Sequence, residues 1–345
     1  MIRCLLVFFF IFLFTLEASS QKKRSKESQN FIVQELAPGI WAAIQNDQFG
    51  KAICNAGIID LGDKTLVFDP FMTPEAAREL RKLAEELLQR PVTIVVNSHF
   101  HNDHIRGNQE FVPFATIISS TFTRDQIAKV EPEQQEWEKK NAPVMLKATR
   151  KIFNSASGLE KEELPIWIGY YEGMMESNDE LKITLPDIVF NDSLWIMGSK
   201  RNVKLVEFKN CHTASDVALM IPSDQIAFMG DLLFVQRHPW LADGEPTNWQ
   251  KNLKILFDDP SIQTYVPGHG PVSKKQGLKD LNDYITSVEK LAIAADADSS
   301  QSKLLLQPIP APYNNWHFGR FYQSNMKFVL STLHKQEKVN LPSTR

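Results

Sequence analysis

The sequence predicts an α/β fold in which β-sheets lie inside and helices lie outside. Two separate runs of short apolar strands carry this prediction, one between residues 31 and 96 and one between residues 188 and 266. Helical patterns accompany each run, as expected when helices cover sheets. The apolar fraction of 43% is ordinary for a globular chain, and no repeat occurs at a solenoid period. We therefore expect one domain.

The first run predicts five strands and one helix. Pro38-Gly39 separates the first two strands, and Gly62-Asp63 makes a hairpin turn between the next two. Thr73 caps the helix, Pro74 takes its first position, and its leucines fall on one face. The predicted strands are 31–36, 40–44, 52–61, 65–68 and 92–96, and the helix is 73–90.

A charged helical insert, from about residue 120 to residue 180, separates the two runs. Its aromatic and methionine side chains either line a pocket or pack the insert onto the body, and packing is the simpler interpretation. The second run predicts strands 188–190, 203–208, 217–221, 226–229 and 264–266, with helices 248–257 and 278–295. The predicted domain is residues 31–296, and residues 297–345 form an extension that packs on it, with an aromatic-rich helical stretch from Trp316.

The first twenty residues are typical of a secretory signal peptide. An apolar run follows Arg3, and Ala18-Ser19-Ser20 gives the small residues of a cleavage site. The run is too short for a comfortable membrane span. We expect an exported protein, periplasmic or secreted, with residues 21–30 as a flexible lead-in. Four basic residues between positions 22 and 26 favour the alternative, an uncleaved membrane anchor.

Charge and cysteine content exclude some classes of protein. The net charge of −3, without a basic stripe, gives no reason to expect nucleic acid as a partner. Cys4 lies in the signal segment, which leaves Cys54 and Cys211 in the mature chain. Two cysteines make no disulfide framework. They could pair in an oxidising compartment, but two small buried side chains are the simpler interpretation.

The segment SHFHNDHIRGN, residues 98–108, holds three of the eight histidines of the chain. His99, His101 and His104 follow a predicted strand, with Asp103 between the last two. Their spacing does not fit one helix face, whereas a turn at a strand end can direct alternate side chains to one point. Imidazole and carboxylate are ligands of zinc and similar divalent ions. Because protonated imidazoles this close would repel one another, the segment predicts a metal site.

Three further candidate ligands lie more than a hundred residues later, each near the end of a predicted strand. His212 lies in NCHTASD, Asp231 in FMGDLLF and His269 in VPGHGP. The glycines on both sides of His269 let the backbone pass close to a bulky group. One sheet edge could gather all of these segments.

In this order, the ligand candidates resemble the motif series of the metallo-β-lactamase superfamily. The resemblance runs from about residue 31 to residue 271 and implies a four-layer αβ/βα sandwich, two mixed sheets between helices, with two zinc ions at one edge. It also implies that Asp231 bridges the two ions and that Asp69, in LVFDP, supports the ligands from behind. One ion would bind to His99, His101 and His212, and the other to Asp103, His104 and His269.

The stretch GDLLFVQRHPWLADGEPTNW, followed by VPGHGP, is similar to an exported bacterial branch of the superfamily that includes quinoprotein-relay zinc metallohydrolases. The chain departs from true β-lactamases, which carry Cys or Ser as the second-site ligand where this chain has Asp231. A bridging carboxylate is more like the glyoxalase II and phosphodiesterase-type members. Efficient β-lactam hydrolysis is therefore not expected.

The resemblance implies a dinuclear zinc-dependent hydrolase of a small-molecule ester, thioester, lactone or amide, in which a metal-bound hydroxide attacks the carbonyl. Asp103 is the candidate catalytic residue, as the acceptor of a proton after attack, and Asp69 would orient a ligand histidine. The alternatives are a phosphodiesterase, a mononuclear iron enzyme like the persulfide dioxygenases, and a non-catalytic assembly factor for a periplasmic quinoprotein. His101 argues against the diiron flavoprotein branch, which has Glu at that position.

Several other residues receive weaker interpretations. Arg237, His238 and Trp240 could reach a substrate, although an ordered loop that closes over the core is the simpler interpretation. His317 and His334 are expected to be ordinary surface or packing histidines.

Overall fold

The computed structural model describes residues 28–297 and 308–340. The predicted signal peptide with Cys4, residues 21–27 of the lead-in and residues 298–307 of the extension lie outside the described residues, as does the side chain of His334. In the described part of the chain, no helix combines the length and the apolar character that a membrane crossing requires.

The first sheet has seven strands, which are arranged in chain order. Strands β1 to β4 pair antiparallel, and strands β4 to β7 pair parallel. The sheet is therefore mixed. The strands are β1 (Phe31–Ala37), β2 (Ile40–Gln45), β3 (Ala56–Asp60), β4 (Thr65–Phe68), β5 (Ile94–Val96), β6 (Thr116–Ser120) and β7 (Ile188–Phe190).

The second sheet has five strands in the order β12-β11-β10-β9-β8. Only β11 and β12 pair parallel, so this sheet is mixed as well. Leu66 and Phe68 of the first sheet share a core with Leu219 and Phe228 of the second. The strands are β8 (Ser193–Ile196), β9 (Val203–Lys209), β10 (Ser215–Ile221), β11 (Ile226–Phe228) and β12 (Thr264–Val266).

Helices cover the outer faces of both sheets. On the first sheet, Leu80 of the first helix packs with Val67 and Val95. On the second, Trp249 and Leu278 pack with Tyr265. The predicted sandwich of two mixed sheets between helix layers is therefore confirmed. The helices are α1 (Pro74–Leu88), α2 (Asn102–Ile105), α3 (Thr121–Ser155), α4 (Gly158–Ser177), α5 (Pro246–Asp258), α6 (Lys275–Ala297) and α7 (Arg320–Asn340), and three short 3-10 turns lie at Arg106–Glu110, Gly230–Leu232 and Tyr313–Asn315.

The prediction was correct in detail at α1 and wrong in two places. The Thr73 hydroxyl accepts a hydrogen bond from the Ala76 amide and caps α1, as expected. The predicted strand 52–61 begins only at residue 56, because Ile53 adopts a left-handed backbone (φ 53°) and Asn55 donates to the carbonyls of Pro267 and Gly270. Strands β6 and β8 were not predicted, although both are longer than the predicted strands β5, β7, β11 and β12.

The insert consists of the two helices α3 and α4, which pack against each other. Its first helix is held to the metal motif by a buried ion network. The Arg106 guanidinium donates to Glu131 at 2.9 Å and to Glu138 at 2.6 Å. Glu138 also accepts from the Asn102 amide at 2.9 Å. The insert is thus tied directly to the segment that carries the candidate ligands.

We expect Arg106→Met to destabilise the protein by about 3–5 kcal/mol, because it leaves two buried carboxylates without their counter-charge. Urea unfolding at equal metal loading measures this. The matched control is Arg150→Met, since Arg150 pairs with Glu172 at a side-chain exposure of 58% and should contribute less than about 1 kcal/mol. Equal losses in the two variants would contradict the proposed anchoring.

Candidate metal centre

Four chain segments meet at one edge of the sandwich and form two adjacent groups of candidate ligands. They are the segments after β5, β11 and β12 and the turn between β9 and β10. Within each group, one ligand atom per residue lies within 4.8 Å of the others. The first group is His99, His101, His212 and Asp231, and the second is Asp103, His104 and His269.

The backbone changes conformation in the middle of the histidine motif. His101 is the extended residue before α2 (ψ 145°), and His99 lies in the bend that precedes it. Asp103 and His104 lie in the single helical turn that follows. The expectation of a non-helical motif is therefore right for its first half and wrong for its second. The switch divides the motif between the two ligand groups.

Asp231 lies between the two groups and faces both. Its Oδ2 atom is 3.3 Å from His212 Nε2 and 3.9 Å from His99 Nε2. Its Oδ1 atom is 3.2 Å from His104 Nε2 and 3.3 Å from His269 Nε2. One carboxylate oxygen is thus available to each group, which is the arrangement of a bridging ligand.

Close backbone approach makes room for this carboxylate. A Cβ atom on Gly268 would lie 1.9 Å from Asp231 Oδ1, so no larger residue fits there without displacing the carboxylate. Gly230 adopts φ 51°, in the left-handed region that favours glycine. Gly268, the residue before His269 in VPGHGP, therefore leaves space for the Asp231 carboxylate.

Hydrogen bonds from behind fix the orientation of the ligand rings. His104 Nδ1 lies 2.8 Å from Asp69 Oδ2, and His269 Nδ1 donates to the Ile53 carbonyl at 2.9 Å. His99 Nδ1 lies 2.9 Å from the Ser98 hydroxyl. Each of these rings consequently presents Nε2 to the centre. Metal-binding histidines usually have such a partner at their other ring nitrogen. Asp69 thus lies behind the ligand candidate His104, which is the position that the resemblance implied.

Asp243 gives His101 the same support, and sequence reasoning missed it. His101 Nε2 lies 3.1 Å from Asp243 Oδ2, and the hydrogen bond lowers the pKa of Asp243 to about 2. An ionised carboxylate only accepts, so Nε2 of His101 donates, and in the neutral ring Nδ1 is then the nitrogen with a lone pair for a metal ion. Trp240 Nε1 also donates to Asp243 at 2.9 Å. Nothing in the sequence distinguishes Asp243 from any other loop aspartate.

Several buried polar atoms at the centre have no hydrogen-bond partner among the described residues. They include His99 Nε2, His104 Nε2 and Asp231 Oδ1. Such an atom costs about 1–3 kcal/mol when it stays unsatisfied. These atoms belong to the two ligand groups and converge on the same place. The donor set of imidazoles and carboxylates therefore fits divalent metal ions.

Most of the titratable groups are biased toward the protonation state that metal binding requires. Burial lowers the pKa of His212 to about 3 and the pKa of His99 well below its usual value, so both rings are neutral. Burial alone would raise the pKa of Asp231, but His269 and His104 outweigh it and hold that pKa well below its usual range. The carboxylate is ionised.

His104 and His101 are the exceptions, since the pKa of each is raised. Burial alone would lower the pKa of His104, but the surrounding carboxylates Asp103, Asp231 and Asp69 raise it well above the usual value. A proton on His104 thus compensates a negative environment. A divalent ion at the second group would displace that proton and provide the same compensation.

The centre opens toward solvent at His101 and Asp103. Their side chains are 20% and 14% exposed, whereas the other five ligand candidates are at most 6% exposed. A substrate must therefore approach from this side. Asp103 Oδ2 lies 3.4 Å from both His104 Nε2 and His269 Nε2, so the carboxylate reaches from the opening into the second group.

The residues with weaker interpretations mostly pack. His238 is fully buried and contacts the Tyr284 hydroxyl at 3.0 Å, and Arg237 donates to Asp47 at 2.6 Å. Trp240 is half-buried near the opening. Cys54 and Cys211 are both buried and unpaired, as the simpler interpretation held.

Comparisons with known proteins agree with the motif series. Residues 50–138 match the family described as the metallo-beta-lactamase superfamily. The structure is similar to that of a metallo-beta-lactamase from Pontibacter korlensis, with a TM-score of 0.54 and 17% sequence identity. That match covers 74% of this chain and 99% of the other. At this identity, the likeness shows the shared fold.

We expect Asp243→Ala to weaken metal binding at the first ligand group by about 10- to 100-fold, because His101 loses the partner that orients it. Competition with a chromophoric chelator measures the affinity directly, without an activity assay. The control is Asp258→Ala, at a surface carboxylate that pairs with Lys254 on α5. Unchanged affinity in the Asp243 variant would show that this hydrogen bond does not support the site.

Proposed function

We propose that this chain, whose residues 50–138 match the metallo-beta-lactamase superfamily and whose fold is similar to that of a metallo-beta-lactamase, is a member of that superfamily and a dinuclear zinc-dependent hydrolase. The observation that carries the proposal is the Asp231 carboxylate, which presents one oxygen to each of two histidine-containing ligand groups. Two ions that share such a carboxylate lie close enough to act on one substrate.

The chemistry that two bound zinc ions supply is activation of a water, whose pKa falls from about 15.7 toward 7, and polarisation of the carbonyl oxygen. The protein therefore needs no serine or cysteine nucleophile. Cys54 is unsuited to that role in any case, since burial raises the pKa of its thiol to about 12. Its Sγ donates to the Asp103 carbonyl at 2.9 Å, which holds the ligand turn in place.

Asp103 is the side chain best placed to move a proton. It reaches from the opening to the second ligand group, so it can contact both the attacking water and the leaving group. Burial alone would raise its pKa, but His104 and His269 lower the pKa to about 2. A carboxylate of such low pKa keeps a proton only briefly. We therefore assign Asp103 as a relay that passes the proton from the water to the leaving group.

We propose an ester, thioester, lactone or amide as the substrate. A bridging aspartate supports this general hydrolase over a β-lactamase, because the chain lacks the second-site Cys or Ser of those enzymes. The presence of all seven candidate ligands argues against a non-catalytic assembly factor. From the signal segment we also propose export, so the active form would begin near residue 21.

We expect the purified mature protein to contain two zinc ions per chain, measured by elemental analysis. It should hydrolyse at least one member of a panel of esters, thioesters, lactones and amides, and lose that activity on chelation. Zinc added back should restore it. Exclusive activity on a phosphodiester would replace the proposal with a phosphodiesterase. One iron per chain with persulfide oxygenation would overturn it.

We expect Asp103→Asn to lower kcat by about 100-fold or more, because general acid–base groups contribute about 10²- to 10⁴-fold. Elemental analysis at saturating zinc must show that both ions are retained. Asp258→Asn, at a surface carboxylate, serves as the control and should leave kcat unchanged. Full activity of the Asp103 variant at full zinc content would exclude the proton relay.

A further inference from the structure

Aromatic side chains from three separate segments meet beside the opening of the metal centre. Trp167 and Tyr170 come from α4, Trp240 from the loop after Asp231, and Phe321 from α7. Neighbouring ring centroids lie 5.4 Å apart for Trp240–Phe321, 5.6 Å for Phe321–Trp167 and 5.8 Å for Trp167–Tyr170. We call these four rings the aromatic collar.

Both ends of the collar are attached to the ligand motif. At one end, Trp240 donates to Asp243, which contacts His101. At the other end, the Tyr170 hydroxyl accepts from the Asn102 amide at 3.3 Å. His101 and Asn102 are adjacent in the chain; the His101 side chain lies at the opening, whereas Asn102 is buried. The contacts therefore link both ends of the collar to adjacent residues of the ligand motif.

The collar differs from an ordinary core in the exposure of its rings. Trp167 is only 5% exposed, and the Arg320 guanidinium lies 4.1 Å from its centroid, so this ring is scaffold. Tyr170, Trp240 and Phe321 remain only half-buried. Part of the apolar area of these three side chains is therefore in contact with solvent, and its burial against an apolar group of a ligand would be favourable.

A fifth ring continues the collar to the metal ligands themselves. Phe318 is buried, and its centroid lies 5.8 Å from Phe321 and 5.4 Å from the ring of His269. Its backbone adopts φ 64°, a conformation that is strained for a non-glycine residue. Strain of this kind persists where the surroundings enforce it and is concentrated at functional sites. The extension thus connects the aromatic surface to the second ligand group.

We infer that the collar binds a flat apolar group next to the bond that is cleaved, so that the preferred substrate carries an aryl group on its acyl side. This inference rests on the proposed hydrolase function. Aromatic rings supply apolar area and favour edge-to-face contacts with other rings.

The test compares methyl 1-naphthylacetate with methyl acetate, because the two esters share the reacting group and differ in the aryl ring. We expect kcat/KM to favour the naphthyl ester by about 10- to 200-fold. Phe321→Ala and Trp240→Ala should reduce that ratio at least tenfold, and Trp240→Phe should retain most of it. Trp195→Ala is the control, since Trp195 is a half-exposed tryptophan on β8, and it should leave the ratio unchanged.

A binding measurement separates failure of this inference from failure of the proposed function. The metal-loaded protein is titrated with 1-naphthylacetate and with acetate, and we expect the first to bind at least tenfold more tightly. Preferential binding that is lost in Phe321→Ala, without hydrolysis of either ester, would uphold the collar and overturn ester hydrolysis. Hydrolysis of both esters with equal kcat/KM and equal product affinities would overturn the collar alone. If the protein shows no binding preference and hydrolyses neither ester, both the collar and the proposed function are overturned.

Discussion

The arrangement of the site depends on one buried carboxylate. Asp231 is 4% exposed and ionised, so it requires positive charge on both of its oxygens. Its Oδ1 atom faces His104, whose pKa is raised, whereas its Oδ2 atom faces His99 and His212, which burial keeps neutral and which supply no charge. Two divalent ions would satisfy this requirement, one at each oxygen. The bridging geometry and the metal stoichiometry that we propose are consequences of the same electrostatic constraint.

The sandwich provides the rigid frame that this constraint needs. The ligands follow the ends of neighbouring strands, and hydrogen bonds from Asp69, Ser98 and the Ile53 carbonyl hold three of the rings from behind. Ile53 precedes strand β3, which begins only at Ala56. Irregular backbone beside the first sheet therefore positions His269, the ligand that follows strand β12. The regular strands bring the ligand segments together, and the irregular backbone between them orients the ligand side chains.

The substrate recognition that we infer involves segments outside the two sheets. The insert, the loop after Asp231 and the extension each contribute a ring to the opening. The insert is held by the buried Arg106 network and the loop by Asn325, which donates to the Pro239 carbonyl at 2.7 Å. The Arg106 network lies within residues 50–138, which match the family, whereas Asn325 and the rings of the collar lie outside that range. The surface that we infer is therefore built mostly from residues outside the matched part of the chain.

The α/β class, most helices and strands, and the identity of the ligand candidates could be predicted from the sequence, because periodicity and side-chain chemistry are local properties. His99, His101 and Asp103 could be identified since they stand together in one motif, and the resemblance also implied the bridging position of Asp231. Two relations emerge only when the chain is folded: Asp243 supports His101, and Phe321 stands beside Trp240. They join residues that are 142 and 81 positions apart, and no local pattern encodes a contact made by the packing of distant loops.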